Sequence, residues 1–453
     1  MSEKLAGRIA ARLAELDGVP AEVADLKRLS GGASRETWSL DAVRPDGTRR
    51  GLIVRRDPED LPRPEQMARE AAAFTAAREA GVPEPELYDH GDDALGSPYL
   101  LMERLEGETI ARRLLRDDAY AEARPRLARQ FGRVLARIHA IGPERIPELE
   151  RVDALPLLVQ LYEGFGEPRP AIELGLRYLA EHRPPPGGDT LVHGDFRTGN
   201  LLIGPDGLRG VLDWELVHRG DPMQDLGWLC TKAWRFGSPH PVGGFGPREE
   251  LLAGYAEAGG TPPSLETLAW WELYGTVRWA LLCRRQAERH LSGAEPSLEL
   301  AVLGRRVCEQ EHDVLLALGL TGPVTVRDPL EEEYTGPARL PHDRPGADEL
   351  LAVAGEFLTG EMSAGHDARM RFHARVAANA VKIARREARL GAAHDAAHKE
   401  RLAALGCADD AALCAAIRDG SLDDRADEVA AAVRADVTDK LIVANPKHLA
   451  IPG

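Results

Sequence analysis

The segment between residues 191 and 215 constrains the fold of this chain more strongly than any other part of the sequence. The apolar pair Leu191-Val192 runs directly into a polar cluster within the decapeptide LVHGDFRTGN, residues 191–200. Two short apolar runs follow, at 201–203 and 208–212, on either side of the tripeptide PDG, which is a strong turn signal. The pattern predicts a β-hairpin that begins where the polar cluster ends.

The predicted hairpin would bring two oxygen-bearing side chains together at one end. If the chain folds back about the bond between residues 206 and 207, Asn200 and Asp213 face each other at roughly 5 Å. An amide oxygen and a carboxylate suit Mg²⁺, which keeps most of its waters and takes one or two carboxylates. Asp195, five residues before Asn200, would then lie beside the metal.

These residue types are the ones that phosphoryl transfer requires. Asp195 could position and deprotonate an attacking hydroxyl group, while Asn200 and Asp213 hold a metal ion on the transferring phosphate. Arg197 could place positive charge on the γ-phosphate as charge develops there. Each residue alone is more often a cap or turn residue, and it is the joint spacing that favours a phosphotransferase over an ordinary hairpin with polar ends.

Composition excludes some other functions. The chain has 453 residues, which suggests two or three domains, and its composition is ordinary for a soluble globular protein. The formal net charge of -16 disfavours a nucleic-acid partner, because such binding surfaces are normally basic. There is no signal-peptide pattern and no apolar run of ~20 residues, so we expect a cytoplasmic protein with no membrane partner. The five cysteines lie far apart, which favours reduced buried thiols over disulfides or a zinc site.

The motif HGDFRTGN (193–200), followed by LDWE (212–215), resembles the aminoglycoside phosphotransferase family, which is itself similar to choline kinases and eukaryotic protein kinases. The resemblance covers residues 20–320 approximately. It implies an α+β, two-lobed protein-kinase-like fold, with a small β-rich N-lobe and a large helical C-lobe.

The resemblance also implies roles for individual residues. Asp195 would be the catalytic base, and Asn200 and Asp213 would bind magnesium. Asp225, in GDPMQDLGWL (220–229), matches an aspartate that braces the catalytic loop in this family.

A loop that could cover nucleotide phosphates lies near the N-terminus, in LSGGASRETW (29–38). Glycines let backbone N–H groups approach phosphate oxygens. The loop lacks the GxGxxG spacing of protein kinases, and a Gly-Gly pair between strands is more often a plain hairpin. In its context it resembles the nucleotide loop of the family, whose candidate residues here are Ser30, Gly31, Gly32, Ala33 and Ser34.

The third predicted strand, LIVRRD, offers arginine where the kinase pattern has lysine. Strand alternation sends Arg55 and Arg56 to opposite faces, so only one of them can face the cleft. Alignment with the family pattern favours Arg55, and Arg56 is expected on a solvated face. Glu70 flanks the apolar face of the following helix and is the expected partner of Arg55, with exposure to water as the alternative. In having arginine at this position, the chain resembles the subgroup of the family whose kinase domains are associated with acyl-CoA dehydrogenases.

The segment LLMERLEG (100–107) is expected to join the lobes as an extended hinge. Backbone groups from Glu103 to Leu105 would receive the adenine edge, and Met102 would lie nearest the base.

Two regions could form the acceptor side. One is the helical insert 152–183, with Tyr162 and Tyr178, and the other is WWELYGTVRWALLCRRQ (270–286). In the second region the candidates are Trp270, Trp271, Glu272, Tyr274 and Arg278, although a core role is the preferred interpretation of the tryptophans.

Residues 347–453 are expected to form an appended all-helical domain of unknown function, after a Pro-rich linker at 323–346. Between 369 and 401 there are nine Lys/Arg against three Asp/Glu. A surface for an anionic partner is one interpretation, and the solvated face of a helical bundle is the favoured one. His394 and His398 have i, i+4 spacing, but no acidic ligand motif accompanies them, so a metal site is disfavoured there.

The sequence thus predicts an N-lobe at 1–105, a C-lobe at 106–322, the linker and the helical domain. It predicts a kinase that uses Mg²⁺ and ATP or GTP to phosphorylate a hydroxyl group of a small metabolite, such as a hydroxyacyl compound. The alternatives are an aminoglycoside O-phosphotransferase and a nucleotide-binding regulatory module without turnover. Neither the acceptor nor the oligomeric state follows from the sequence.

Overall fold

A computed structural model describes residues 2–29, 35–332, 346–364 and 367–452. The predicted nucleotide loop, Ser30–Ser34, lies outside these ranges, as do Pro337, Pro341 and Pro345 of the predicted linker. The chain divides into two compact units. The first comprises Met1–Ala154 and Pro185–Leu268, and the second comprises Leu155–Pro184 and Ala269–Gly453. The lobe, linker and domain limits given above stay predictions.

The described residues form helices and strands with the following bounds. The helices are α1 (Ser2–Asp17), α2 (Pro64–Glu79), α3 (Ala111–Arg116), α4 (Arg124–His139), α5 (Ala154–Phe165), α6 (Pro170–Glu181), α7 (Met223–Cys230), α8 (Arg248–Glu257), α9 (Leu265–Leu291), α10 (Leu298–Gly304), α11 (Val307–Ala317), α12 (Ala347–Thr359), α13 (Glu361–Ala364), α14 (Ala368–Leu405), α15 (Asp410–Asp419) and α16 (Ala426–Ala444). The strands are β1 (Glu22–Arg28), β2 (Glu36–Val43), β3 (Arg49–Arg56), β4 (Leu87–Gly91), β5 (Tyr99–Glu103), β6 (Thr190–Val192), β7 (Leu201–Gly204), β8 (Gly207–Val211) and β9 (His218–Gly220).

The first unit begins with an antiparallel sheet in the order β1-β2-β3-β5-β4. Side chains on β2 alternate between buried and half-buried positions, which is the pattern of a sheet with one covered face. Helix α1 covers that face with Leu5, Ile9 and Leu13, which join a core cluster with Trp38 and Leu40. The opposite face of the sheet is left to line a cavity.

The expectation that Arg56 lies on a solvated face is wrong. Arg56 shares the covered face of β3 with Leu52 and Val54, and it is 2% exposed. Glu36 lies opposite Arg56 in the register of β2 and β3 and accepts a hydrogen bond from its Nε at 2.8 Å, while the carbonyl oxygen of Leu95 accepts from Nη1 at 3.2 Å. A cross-strand carboxylate therefore allows this charge to be buried.

The second unit is helical. Its core packs apolar residues of α15 and α16 with residues of α6 and α11, and it includes Leu413, Ile417, Val433 and Leu441. Among the described residues, none of the helices combines the length and the apolar character that crossing a bilayer requires.

The basic stretch of α14 is largely neutralised within the second unit. Arg385 and Arg389 both donate to Asp348, at 2.8 Å and 2.7 Å. Arg401 donates to Asp439 at 2.6 Å. These ion pairs support a helical bundle over an open surface for an anionic partner.

Candidates for the acceptor side lie mostly in the core of the second unit. Trp270, Trp271, Glu272 and Tyr274 are buried, and the indole of Trp270 donates to the carbonyl oxygen of Leu179 at 3.1 Å. The core interpretation of these two tryptophans agrees with this placement. Other candidates differ in exposure: Tyr162 is buried, Arg278 is half-buried, and Tyr178 is exposed and stacks on His182.

Helices α4 and α8 of the first unit pack backbone against backbone through two glycines. A Cβ at Gly132 would overlap the carbonyl oxygen of Leu251, and one at Gly254 would overlap the carbonyl oxygen of Arg129. The helices can therefore approach this closely only without side chains at those positions.

We expect Gly132→Ala to lower the free energy of unfolding by about 1–3 kcal/mol, because the added methyl group forces the two helices apart. Urea denaturation of the full chain measures the change. Gly7→Ala is the matched control, since Gly7 lies in a helix with nothing within 4 Å of the new methyl group. That control should be neutral or slightly stabilising. Equal effects of the two changes would contradict this account of the packing.

Candidate active site

The polar cluster of the sequence motif lies in the loop between β6 and β7 of the first unit. Gly194 has a φ of 82°, and a Cβ there would lie 2.5 Å from the carbonyl oxygen of Leu216. Both the left-handed backbone and the lack of space require glycine at this position. The tight turn is what directs Asp195 away from the strand that precedes it.

Asp225, in the first turn of α7, ties this loop down. Its carboxylate accepts hydrogen bonds from the backbone N–H groups of His193, at 2.8 Å, and Gly194, at 2.9 Å. His139 Nε2 lies 3.2 Å from the same carboxylate. Burial raises the pKa of Asp225, but the contact with His139 and the loop N–H groups outweighs burial and holds that pKa below its ordinary value.

Three donors orient the carboxylate of Asp195. Asn200 Nδ2 donates to one oxygen at 2.6 Å, and the Trp228 indole and Arg197 Nε donate to the other at 2.8 Å and 3.1 Å. Sequence reasoning missed Trp228. Trp228 could have been found from its spacing to Asp225, because residues three apart on α7 share the helix face that meets the loop.

Arg197 is placed beside Asp195. Its guanidinium carbon lies 4.6 Å from the centre of the Trp234 ring, so the charge stacks on an aromatic face while Nε holds Asp195. The predicted contact of Arg197 with the γ-phosphate stays a prediction.

The predicted register of the hairpin is wrong by two residues at the turn and by one residue at the open end. Leu201 pairs with Val211, and Gly204 pairs with Gly207, with an irregularity between them. The turn closes between Gly204 and Gly207, two residues from the predicted register, and a bulge on β8 recovers one of the two. The carbonyl oxygen of Asn200 therefore accepts from the N–H of Leu212, not from Asp213. Asp213 follows in a left-handed conformation, with a φ of 70°.

Arg55 joins the sheet to this hairpin. Its Nη1 donates to Glu70 and its Nη2 donates to Asp213, both at 2.5 Å. The structure therefore brings together Arg55 and Glu70, which the sequence proposed as partners. Glu70 is fully buried, so the alternative that it reaches into water does not hold.

Arg35 also contacts Glu70, and sequence reasoning missed it. It is 5% exposed, donates to Asp57 at 3.0 Å and forms an ion pair with the Glu70 carboxylate. Burial and the nearby Arg55 lower the pKa of Arg35 to about 10, so it stays charged at neutral pH. No local pattern marks this residue, since its two partners come from α2 and from the loop between β3 and α2.

A cavity of about 500 Å³ lies on the uncovered face of the sheet. Its lining includes side chains of that face and of the predicted hinge, together with residues of the loop between β6 and β7 and of the hairpin end: Thr37, Ser39, Ile53, Arg55, Met102, Glu103, Leu105, Asn200 and Asp213. The predicted cation, hinge and metal-ligand candidates thus share one cavity.

Comparison with known proteins agrees with this geometry. Residues 25–273, more than half of the chain, match the family described as the phosphotransferase enzyme family, APH. The chain belongs to this phosphotransferase family. Residues 364–448 match a domain of unknown function, DUF6285.

Two curated relatives carry the name of another enzyme class. The chain is 31% identical over 208 residues to acyl-CoA dehydrogenase family member 10 of Mus musculus, which covers 43% of this chain and 19% of the relative. It is 26% identical over 324 residues to acyl-CoA dehydrogenase family member 11 of Gallus gallus, which covers 64% of this chain and 40% of the relative. The chain therefore spans less than half the length of these relatives. The predicted resemblance to domains associated with acyl-CoA dehydrogenases is confirmed.

A solved structure confirms the fold. It is a candidate aminoglycoside phosphotransferase from Ralstonia eutropha, 22% identical, which superposes with a TM-score of 0.56 over 69% of this chain and 98% of its own length. The predicted α+β kinase-like fold with C-terminal helices is therefore correct.

Electrostatics in this phosphotransferase favour an ionised Asp213. Burial raises the pKa of Asp213, but the adjacent Arg55 guanidinium outweighs burial and holds that pKa below its ordinary value. The carboxylate is therefore negatively charged at neutral pH.

A second buried carboxyl group lies under the hairpin and behaves in the opposite way. Trp214, the residue after Asp213, donates its indole N–H to Glu84 Oε1 at 3.2 Å. Among the described residues, the other oxygen of Glu84 has no hydrogen-bond partner. Burial raises the pKa of Glu84 well above its ordinary value, so the folded protein favours the neutral acid.

We expect Glu70→Gln to lower the free energy of unfolding by about 3–5 kcal/mol, because the buried Arg35 and the half-buried Arg55 lose a shared counter-charge. Urea denaturation measures the loss. Glu65→Gln on the same helix is the control, since Glu65 is exposed and its replacement should change stability by less than about 0.5 kcal/mol. A Glu70→Gln protein as stable as the control would show that the buried ion pairs contribute nothing net.

We expect Glu84→Gln to gain stability relative to the wild type as the pH rises. The contribution of Glu84 is fully present below its unfolded-state pKa and is lost as the pH rises through the raised folded-state pKa, because the folded protein holds the proton longer. A neutral amide has no such loss. Melting temperatures between about pH 5 and pH 8 measure the effect. Glu86→Gln, at an exposed position two residues away, is the control and should change the melting temperature little.

Proposed function

We propose that this phosphotransferase is a Mg²⁺-dependent small-molecule kinase, which transfers the γ-phosphate of ATP or GTP to an alcohol group. The observation that supports this most directly is the Asp195 carboxylate, which three donors hold beside Asn200. Asn200 in turn lines one cavity with Asp213 and the hinge candidates. This arrangement supplies a base, a metal site and a nucleotide site within reach of one another.

In the proposed reaction the hydroxyl oxygen of the acceptor attacks the γ-phosphorus, the bond to the β–γ bridging oxygen breaks, and the nucleoside diphosphate leaves. Asp195 accepts the proton of the hydroxyl group. Asn200 and Trp228 are positioning residues, because their hydrogen bonds fix the carboxylate before the substrate arrives. Arg197 also holds Asp195, and in this proposal the rest of its guanidinium stabilises charge on the γ-phosphate.

Asn200 and Asp213 would hold the Mg²⁺ ion. The donor set fits this ion, because it offers an amide oxygen and a carboxylate that stays ionised beside Arg55. When bound, Mg²⁺ would neutralise charge on the phosphates of the nucleotide. The two residues line the same cavity although they are not paired across the hairpin.

Arg55 would contact nucleotide phosphates in place of the usual lysine. Its planar fork reaches Glu70 and Asp213 at the same time, which the single ammonium group of lysine cannot reproduce in the same geometry. The loop Ser30–Ser34 would complete the phosphate contacts.

The hinge would bind the base of the nucleotide through a limited set of backbone groups. The N–H of Glu103 donates to Glu86 and the N–H of Arg104 donates to Gly51, so both are engaged within the sheet. In this proposal the carbonyl groups of the hinge and the N–H of Leu105 meet the base, and Met102 lies against it.

A hydroxylated metabolite, such as a hydroxyacyl compound, is the proposed acceptor. The similarity to acyl-CoA dehydrogenase family members 10 and 11 supports it over an antibiotic. An aminoglycoside remains the second candidate, because the solved structure with the same fold is described as an aminoglycoside phosphotransferase. A nucleotide-binding module without turnover is the candidate from another class.

Asp195→Asn tests the proposal, because the amide keeps the shape of the side chain and removes the base. We expect phosphoryl transfer to fall at least ~100-fold while Mg²⁺-nucleotide binding persists. The assay is mass spectrometry of a deproteinised extract of the source organism after incubation with Mg²⁺ and γ-labelled ATP or GTP. Asp206→Asn is the matched control, since Asp206 lies 72% exposed at the hairpin turn and should leave transfer unchanged.

Each outcome selects one of the candidates. A labelled metabolite that forms with the wild type and Asp206→Asn, but not with Asp195→Asn, supports the kinase and identifies its acceptor. A second assay offers the enzyme a set of aminoglycosides in place of the extract. Label on an aminoglycoside, with no labelled metabolite in the extract, favours the aminoglycoside O-phosphotransferase. Transfer at the wild-type rate by Asp195→Asn would exclude Asp195 as the base. Nucleotide binding with no labelled product in either assay favours the regulatory module.

A further inference from the structure

Three buried side chains of the second unit converge away from the candidate active site. His312 and Asp313 lie on α11, and His448 lies on the 3₁₀ turn Pro446–Ala450 near the end of the described chain. They are 1%, 4% and 8% exposed. One potential ligand atom from each lies within 4.8 Å of those from the other two.

The distances within this cluster are short. His448 Nε2 lies 2.8 Å from Asp313 Oδ1, and His312 Nδ1 lies 3.8 Å from the same oxygen. The rings of His312 and His448 meet edge to face, with centroids 5.8 Å apart. The aspartate oxygen is therefore the point on which both imidazoles converge.

His312 carries the observation that calls for a ligand. Neither of its ring nitrogens has a hydrogen-bond partner among the described residues, although the side chain is buried. A buried polar group left without a partner costs about 1–3 kcal/mol, so such groups in native proteins normally have one. A metal ion would bind the lone pair of one ring nitrogen and remove that part of the cost.

We propose that His312, Asp313 and His448 bind one divalent transition-metal ion, with zinc as the best match. Two imidazole nitrogens and one carboxylate oxygen are typical zinc ligands, whereas calcium and magnesium prefer all-oxygen sites. Zinc–ligand bonds of about 2.0–2.2 Å in a tetrahedron place adjacent ligand atoms about 3.3–3.5 Å apart. The separations of 2.8 Å and 3.8 Å lie on either side of that range, and the two histidine ligand atoms lie within 4.8 Å of each other.

The metal would tie the C-terminal segment to α11. His448 is the last residue matched to the domain of unknown function, while α11 lies outside both matched regions. A polar contact already connects the same two parts, because Asn445 Nδ2 donates to Glu309 of α11 at 2.9 Å. The chain that follows α11 makes another, since the N–H of Val324 donates to the carbonyl oxygen of Leu449 at 2.7 Å. The role of the metal is therefore structural, because it would fix the end of the helical domain to the helix beside it.

The test uses the full chain without a polyhistidine tag, loaded with Zn²⁺ and dialysed. We expect about one zinc per chain by elemental analysis, in keeping with a single three-ligand site. Removal of the metal with a chelator should lower the melting temperature, and added Zn²⁺ should restore it. Loading with Co²⁺ should give the visible absorption of a tetrahedral ion with nitrogen ligands.

His312→Phe separates a metal ligand from an ordinary core histidine. If His312 is a ligand, the variant should lose the zinc, and its melting temperature should no longer respond to the chelator. His182→Phe is the matched control, since His182 is an exposed histidine of the same unit and its replacement should keep both properties. Both variants retain all five cysteines, so zinc held by thiols would persist in His312→Phe.

The proposal fails if the dialysed wild type holds no zinc and its melting temperature ignores the chelator. It also fails if His312→Phe keeps the zinc. In the first case His312→Phe should be as stable as the wild type or more so, because an apolar ring would replace an unpaired imidazole. If His312→Phe does not fold, His448→Gln provides the same comparison of zinc content and chelator response. None of these measurements depends on phosphotransferase activity.

Discussion

The guanidinium of Arg55 holds two carboxylates at once, and the candidate active site depends on that bridge. It contacts Glu70 on α2 and Asp213 after β8, each at 2.5 Å. Glu70 is fully buried, so its charge is tolerated only because Arg55 and Arg35 surround it. The helix, the sheet and the hairpin are thereby fixed to one another at the wall of the cavity. In the proposed function, the same arginine keeps the metal ligand Asp213 ionised and faces the nucleotide phosphates.

Around this bridge the site is built from a few strained or buried elements, each with a local physical cause. Gly194 turns the chain where no side chain fits, and Asp225 holds that turn by accepting two backbone hydrogen bonds. Asp195 is then oriented by an amide and an indole. A carboxylate fixed in this way needs little reorganisation when a hydroxyl group binds, which is what general-base catalysis requires.

The helical second unit uses the same principle of paired buried charge for stability. Three arginines of α14, Arg385, Arg389 and Arg401, are paired with aspartates elsewhere in the unit. His312 departs from this pattern, since it is buried and neither of its ring nitrogens has a hydrogen-bond partner among the described residues. The proposed zinc ion would give a ring nitrogen of His312 a partner. It would also fix the end of the C-terminal domain to α11.

The sequence by itself determined the hairpin and the spacing of Asp195 and Asn200, because these depend on local patterns of apolar, turn and polar residues. The fold class and the family followed from the resemblance of this motif to a known family. The sequence also proposed the pair of Arg55 and Glu70, although family alignment was needed to choose between adjacent arginines. Only the tertiary structure decided the rest. The bulge that shifts Asp213 along the hairpin and the indole that holds Asp195 leave little local signal. Burial of Arg35 and the convergence on Asp313 leave none, because each depends on partners supplied by distant parts of the chain.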